Sequence, residues 1–301
     1  MKKILLIGSE GYIGSYLKTK IGCNPFDLSL GLDYKNISID EIKNYDILIL
    51  LAGHSSVASC ANNQLAAFKN NVDNFSNLLY KIEKAGNPIK FIYASSSSVY
   101  GQTGAGIVTE NFSDFIPHNT YDITKHFIDI LAKDSKVEYY GLRFGTVCGY
   151  SPVLRTDVMI NSMVRSAKDL GHVKLYIKEV NRPILGMNDL GRSIECIINE
   201  RENKKGIYNL ASFNSTAEYI ASVVSNLCDV PIVEMEFPQE VSNAKEQTIT
   251  YDFAISSEKF SKSFQFEFQD SIESITKSLI QNWKEMKKIN RTTKLIYETK
   301  N

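Results

Sequence analysis

Short apolar runs alternate with longer amphipathic stretches through the first half of the chain. Residues 4–7, 46–51, 89–94 and 138–143 have strand length and are largely apolar. Between them, residues 72–85 and 124–132 place apolar side chains at i, i+3 and i+4, the spacing of one helix face. Continuously apolar strands separated by helices predict a doubly wound α/β fold, a parallel sheet covered on both faces. Such a sheet binds ligands in the crevice beyond the carboxyl ends of its strands.

The second half is patterned differently. Strands predicted over 173–177 and 207–210 are brief. Helices predicted over 157–168, 187–199 and 216–227 are longer, and a last helix over 271–287 runs into a polar, Lys-rich end. The change of character falls near Thr146. The pattern divides the chain into a first domain over 1–145, to which 187–211 return, a smaller C-terminal α/β substrate domain over 146–186 and 212–285, and a polar tail over 286–301.

Composition narrows the classes of function. The 301 residues carry 34 basic and 34 acidic side chains, a zero formal net charge. That balance argues against a nucleic-acid or anionic-membrane surface, which needs clustered cations. No apolar stretch nears the ~20 residues of a bilayer span. The run after Lys2-Lys3 is too short for a secretory leader. Five cysteines without C-x-x-C spacing read as reduced packing residues of a cytoplasmic protein. Four scattered histidines show no metal-ligand spacing, so no metal is expected.

The first strand runs directly into Gly8-Ser-Glu-Gly11-Tyr12-Ile13-Gly14. In a dinucleotide site one glycine permits the tight turn, one lets backbone N–H groups approach a pyrophosphate, and one lets the helix pack close to the sheet. The helix that follows points its positive end at the phosphates. Such a site places an acidic residue ~20 residues further on, where it accepts both ribose hydroxyls of NAD. Asp27 stands there, and no Arg or Lys follows it closely to hold a 2′-phosphate. NAD is therefore expected rather than NADP. Asp33-Tyr34 is placed to border the adenine.

A Tyr serves as a general base only if its pKa, ordinarily near 10, falls toward neutrality. A Lys one helical turn away supplies the field, since i and i+4 share a face. The chain contains Y-x-x-x-K three times, at Tyr16/Lys20, Tyr80/Lys84 and Tyr121/Lys125. The first two lie where the strand-end crevice is not; solvated helix faces explain them. Tyr121 and Lys125 begin a helix downstream of a strand ending in Ser95-Ser96-Ser97-Ser98. A hydroxyl at a strand's carboxyl end can hydrogen-bond a substrate alcohol or ketone.

These motifs resemble the extended short-chain dehydrogenases/reductases, specifically the NAD-dependent nucleotide-sugar epimerase/dehydratase family. The matching pieces are Gly8/Gly11/Gly14, Asp27, Asp33, Leu51-Ala52-Gly53, Asn71-Val72, Ser95-Ser96-x-x-Val99-Tyr100-Gly101, Tyr121-x-x-x-Lys125, the segment from Arg143 through Val147 and Gly149 to Ser151-Pro152, and Arg182-Pro183 leading to Asp189-Leu190. They run in family order over roughly residues 1–285. The resemblance implies a Rossmann-like sheet, bound NAD, a nucleotide-sugar substrate and a homodimer built on helices 72–85 and 121–136.

It also implies roles for individual residues. Ser96 would bond the sugar's reacting oxygen, Tyr121 would move the proton of its C4 hydroxyl, and Lys125 would hold the nicotinamide ribose and lower the Tyr121 pKa. Ala52 and Gly53 would line the middle of the cofactor, and Asn71 would belong to its shell. Asn161 would contact the sugar nucleotide, Arg182 its diphosphate, and Ser97, Ser98 and Thr146 would complete the substrate side. The departures count as well. Sugar dehydratases of the family carry an acid just after the catalytic Ser or Thr, where this chain has Ser97 and Ser98. Thr146 stands where many members have Asn, and a second diphosphate-binding Arg has no match around 256–262.

A C4 epimerase is the first reading: oxidation at C4, rotation of the keto-sugar and hydride return. A net C4 dehydrogenase or keto-sugar reductase would use the same residues. A non-catalytic dinucleotide-binding regulator would not need Ser96, Tyr121 and Lys125. Cys148 and His126 read as packing and surface residues, and Trp283 as packing.

Overall fold

The apolar runs become parallel strands, as their burial on both faces requires. The structure, a computed structural model, describes residues 2–104, 106–236 and 251–289. The first half contains β1 (Ile4–Ile7), α1 (Tyr12–Lys18), β2 (Asn24–Phe26), α2 (Ile39–Ile42), β3 (Ile47–Leu50), α3 (Val57–Asn62), α4 (Gln64–Phe68), α5 (Asn74–Ala85), β4 (Lys90–Ser96), β5 (Ile107–Val108), α6 (Thr120–Asp134) and β6 (Glu138–Phe144). The second half continues with β7 (Thr146–Cys148), β8 (Val153–Arg155), α7 (Met159–Leu170), β9 (Val173–Leu175), β10 (Asn181–Gly186), α8 (Met187–Asn199), β11 (Gly206–Leu210), β12 (Phe213–Thr216), α9 (Ala217–Cys228), β13 (Ile232–Glu234), β14 (Ala254–Ile255), α10 (Glu258–Phe264), α11 (Ile272–Gln281) and β15 (Lys287–Ile289).

The main sheet has six strands in the order β11-β6-β4-β3-β1-β2, all paired in parallel. Alternate residues of each strand enter different clusters. Leu5, Ile7, Leu48 and Leu50 pack with Phe75, Leu79 and Ile128 on the α5/α6 side. Ile4, Leu6, Ile47 and Ile49 pack with Leu17, Ile194 and Ile197 on the α1/α8 side. A strand buried on both faces tolerates no polar alternation, which is why these runs are continuously apolar.

The chain leaves β1 for β2 on one side and crosses to β3 on the other. The carboxyl ends of β1 and β3 therefore mark the switch point of a doubly wound sheet, where such folds open a crevice. Over that end lies a three-stranded sheet, β12-β10-β7, with β10 parallel to β7 and antiparallel to β12. The predicted last helix over 271–287 stops at Gln281, and Lys287–Ile289 pairs instead with Val153–Arg155. The rest of the polar tail, 290–301, lies outside the described residues. Among the described residues no helix is long and apolar enough to cross a membrane.

Candidate active site

The glycine loop closes at the end of β1. Gly8 has φ +90°, a left-handed conformation that L side chains rarely adopt. A Cβ on Gly8 would stand 2.6 Å from Ala52 N, and one on Gly14 would stand 2.0 Å from the Gly8 carbonyl oxygen. Only bare backbone fits this turn, so the main chain itself faces the cleft. Gly8 N donates to the Phe26 carbonyl (2.8 Å), which brings the end of β2 alongside. Asp27 follows: its Oδ2 accepts from Glu10 N (3.1 Å) and its Oδ1 from Ser29 N (2.9 Å) and Ser29 Oγ (2.8 Å). The carboxylate both caps a turn and sits beside the loop. A cradle of uncovered main chain with an acidic residue at its edge fits a pyrophosphate and a ribose diol, and so fits NAD.

The second wall comes from β4 and α6. Asn119 caps α6, its Oδ1 accepting from Asp122 N (3.0 Å), and this fixes where the helix starts. Tyr121 then lies in the first turn and Lys125 one turn later. The Ser96 hydroxyl faces the phenol of Tyr121 closely enough to favour its ionised form. Lys125 is buried, donates from Nζ to the Ala94 carbonyl (2.6 Å) and lies 5.8 Å from the Tyr121 ring centroid. One cleft is lined by Gly8, Gly11, Tyr12, Ile13 and Gly14, by Ser96, Ser97 and Ser98, by Tyr121 and Lys125, and by Thr146 and Arg182.

Burial governs the charges here. Loss of water around Tyr121 pushes its pKa up to about 12; the Ser96 hydroxyl and, more weakly, Arg155 oppose that rise. Burial likewise pulls Lys125 down to about 8. The expectation that Lys125 lowers the Tyr121 pKa is thus corrected for the protein by itself: desolvation outweighs the neighbouring charges, and the phenol keeps its proton at neutral pH.

The other candidates are distributed as follows. Ala52 and Gly53 continue from β3, and Asn71 ties that segment down. Its Oδ1 accepts from His54 N (2.8 Å), and its Nδ2 donates to the His54 carbonyl (3.1 Å) and to Thr124 Oγ1 (3.2 Å). Asp33 caps the next turn and pairs with Lys35 (2.8 Å), while the buried Tyr34 donates from its hydroxyl to the Asn70 carbonyl. Asn161 is fully buried behind the cleft wall. Its Oδ1 accepts from Gly149 N (2.9 Å), and its Nδ2 donates to the Tyr12 hydroxyl (3.0 Å) and the Arg155 carbonyl (2.8 Å). Its amide therefore holds the wall rather than presenting itself to the cleft. Tyr12 completes that brace, donating to the Gly149 carbonyl (2.9 Å). Arg182 enters the cleft beside Phe253 (5.8 Å to the ring centroid), and burial lowers it to about 10. Cys148 is buried and its thiol is pushed up to about 12, in keeping with a packing residue.

The sequence reasoning missed Ser55, Arg155 and Phe253, which also line the cleft. Arg155 is paired with Asp157 (2.7 Å). Its advance signal was its place at the start of the Arg155–Asn161 segment, just beyond the Arg143–Pro152 motif.

Fold and site together define a Rossmann-like dinucleotide enzyme of the short-chain dehydrogenase/reductase type. The chain belongs to the NAD dependent epimerase/dehydratase family, whose pattern it matches over residues 4–211. It is 32% identical over 110 residues to a UDP-glucose 4-epimerase of Mycoplasma genitalium, a match covering 35% of this chain and 32% of that protein. It is 25% identical over 280 residues to Protein CapI of Staphylococcus aureus, covering 80% of this chain and 83% of that one. Among solved structures, the UDP-glucuronic acid 4-epimerase from Bacillus cereus in complex with UDP-glucuronic acid and NAD superposes with a TM-score of 0.78 at 20% identity, covering 94% of this chain and 99% of that one.

Proposed function

We propose that the protein is an NAD-dependent nucleotide-sugar 4-epimerase. The observation that carries this reading is the meeting of Ser96, Tyr121 and Lys125 in the cleft that the Gly8–Gly14 loop also lines. The loop's main chain and Asp27 would hold the dinucleotide, and Lys125 its nicotinamide ribose. NAD, when bound, supplies a hydride acceptor that can give the hydride back.

The chain's own residues do the rest. Ser96 and Tyr121 present their hydroxyls to the C4 oxygen of the sugar, fix it by hydrogen bonds and pass its proton. A positive charge brought beside the Tyr121 phenol lowers its pKa, since an opposite charge favours the ionised form. Arg182, a cation held largely out of water, favours an anion such as a diphosphate in the same cleft. Dehydration is the less suitable outcome, because positions 97 and 98 carry hydroxyls where elimination would use a carboxyl group.

The test is a screen of uridine, guanosine and deoxythymidine sugars by proton NMR. Inversion at C4 without accumulation of NADH supports the epimerase; stoichiometric NADH would point to the dehydrogenase; no reaction would sink the proposal. Tyr121→Phe is expected to lower turnover by at least ~100-fold while NAD binding survives. Near-normal turnover in that variant would remove Tyr121 from the mechanism.

A further inference from the structure

Behind Ser96 lies a chain of hydroxyls that ends on a buried carboxylate. Ser96 Oγ is 2.8 Å from Ser98 Oγ and accepts from Ser98 N (3.2 Å). Ser98 Oγ donates to Asp122 Oδ1 (2.5 Å). Asp122 has no exposed surface. Its Oδ2 accepts from Asn119 Nδ2 (2.6 Å) and from the Tyr251 hydroxyl. Asp122 lies behind Ser98 and does not line the cleft, so it does not replace the acid that positions 97 and 98 lack.

The direction of this chain follows from donor chemistry. An ionised carboxylate only accepts, so the Ser98 hydrogen points to Asp122. Ser98 Oγ is then free to accept from Ser96, and Ser96 Oγ is left as an acceptor toward the cleft. We propose that Ser98 and Asp122 form a proton relay from Ser96 to a buried carboxylate that stores the proton of the substrate hydroxyl while the sugar is a ketone. Both are positioning residues acting through Ser96, and the proposal rests on the nucleotide-sugar reading above.

The step balances. The C4 O–H bond breaks as its proton passes to the Ser96–Tyr121 pair, Ser96 passes its hydrogen to Ser98, and Ser98 passes its hydrogen to Asp122. NAD, when bound, would take up the C4 hydride. Reversal on the other face of the sugar returns both. The relay's far end, Asp122, is fully buried, which suits a reaction that gives the same proton back. Burial raises the Asp122 pKa, so the stored proton is held more readily than by an ordinary carboxylate. The groups facing Asp122 are Ser98 from the turn after β4, Asn119 and His118 before α6, and Tyr251 from the segment before β14. Tyr121 also lies within its field.

Ser98→Ala cuts the relay while leaving the carboxylate its other two donors. With a sugar that the wild type inverts, this variant should lose about 10- to 100-fold in kcat with KM nearly unchanged, and Ser98→Thr should restore most of it. A second readout needs neither turnover nor NAD. Carboxyl infrared titration of the protein, with Asp122→Asn as reference, should show the Asp122 midpoint rising by about one pH unit in Ser98→Ala, since the ionised form loses a donor. An unchanged kcat in Ser98→Ala, or an Asp122 midpoint that does not move, would overturn the relay while leaving the epimerase reading intact. A wild type that inverts no nucleotide sugar would remove that reading and the relay with it.

Discussion

Lys125 is the residue in which the site's conflict is sharpest. An ammonium is buried here at a cost to the fold. Its pKa falls from 10.5 to about 8 because burial disfavours the charged form. In the window between about 8 and 10.5 the unfolded chain holds this proton and the folded one does not, so stability rises with pH there. The handicap at pH 7 amounts to about 3 kcal/mol and shrinks to little more than 1 kcal/mol by pH 9.5. Denaturant unfolding of the NAD-free protein should show it: relative to Lys125→Met, the wild type should gain about 2 kcal/mol between pH 7 and pH 9.5. A constant gap across that range would mean that Lys125 is not desolvated. The Tyr121/Lys125 pair was legible in the sequence because i and i+4 share a face and the flanking strand and loop chose it over two competitors. Asp122 and Arg155 were not, although both lie close in sequence to recognised motifs. What gives Asp122 its meaning is Ser98, 24 residues away, and what gives Arg155 its meaning is a cleft assembled from both halves of the chain.

At the scale of elements, the position of the β3 loop depends on one side chain. Asn71 sits in a π-helical turn (Lys69–Asp73) between α4 and α5, and its three hydrogen bonds bind the Gly53–His54 backbone to α6. Gly53 has φ +154°, and a Cβ there would approach Asn71 Oδ1 to 2.9 Å, so loop and amide fit closely. Asn71→Ala should destabilise the protein by about 1–3 kcal/mol, because it removes the three hydrogen bonds that tie the half-buried His54 backbone to α6. It should also weaken NAD binding, measured by isothermal calorimetry, more than Tyr121→Phe does; unchanged affinity would show that the loop holds its place without the amide. Elements were readable to the degree that burial is uniform. β3 and β4 could be read because every residue of a two-sided strand is apolar. β7, β10 and β12 could not, because residues such as Arg182, Asn214 and Ser215 face a cleft or solvent and break any alternation. The predicted helix over 271–287 overran because its apolar spacing persists to Trp283, although the helix ends at Gln281 and the chain goes on to an edge pairing with β8.

At the scale of the whole molecule, α4, α5 and α6 carry large apolar side chains that the single chain leaves open. The inward faces of α5 and α6 bury Phe75, Leu78, Leu79, Ile82 and Ile128 against the sheet. Their outer faces carry Tyr80 (57% exposed), Phe127 (46%) and Ile130 (48%), with Leu65 of α4 more open still at 81%. Phe127 meets Phe68 edge-on, at 6.5 Å between ring centroids. Large apolar side chains on adjacent helices, in a chain with no net charge to keep copies apart, predict an association surface here. Two antiparallel copies of α5 and α6 would satisfy it with a two-fold, self-complementary four-helix contact. The expected solution species is a dimer, about twice the 33.9 kDa chain mass by light scattering. Phe127→Glu combined with Ile130→Glu should give monomers, because each charge would be desolvated against its own copy. Both substituted side chains are exposed in the single chain, so the monomer should stay folded. Tyr121 and Lys125 lie on the same α6, within about two and a half turns of the substituted positions. Turnover should therefore fall further than NAD affinity, as helix α6 loses the support that fixes the phenol over the cleft. A wild type that scatters as a monomer at micromolar concentration would show that this apolar face has another purpose.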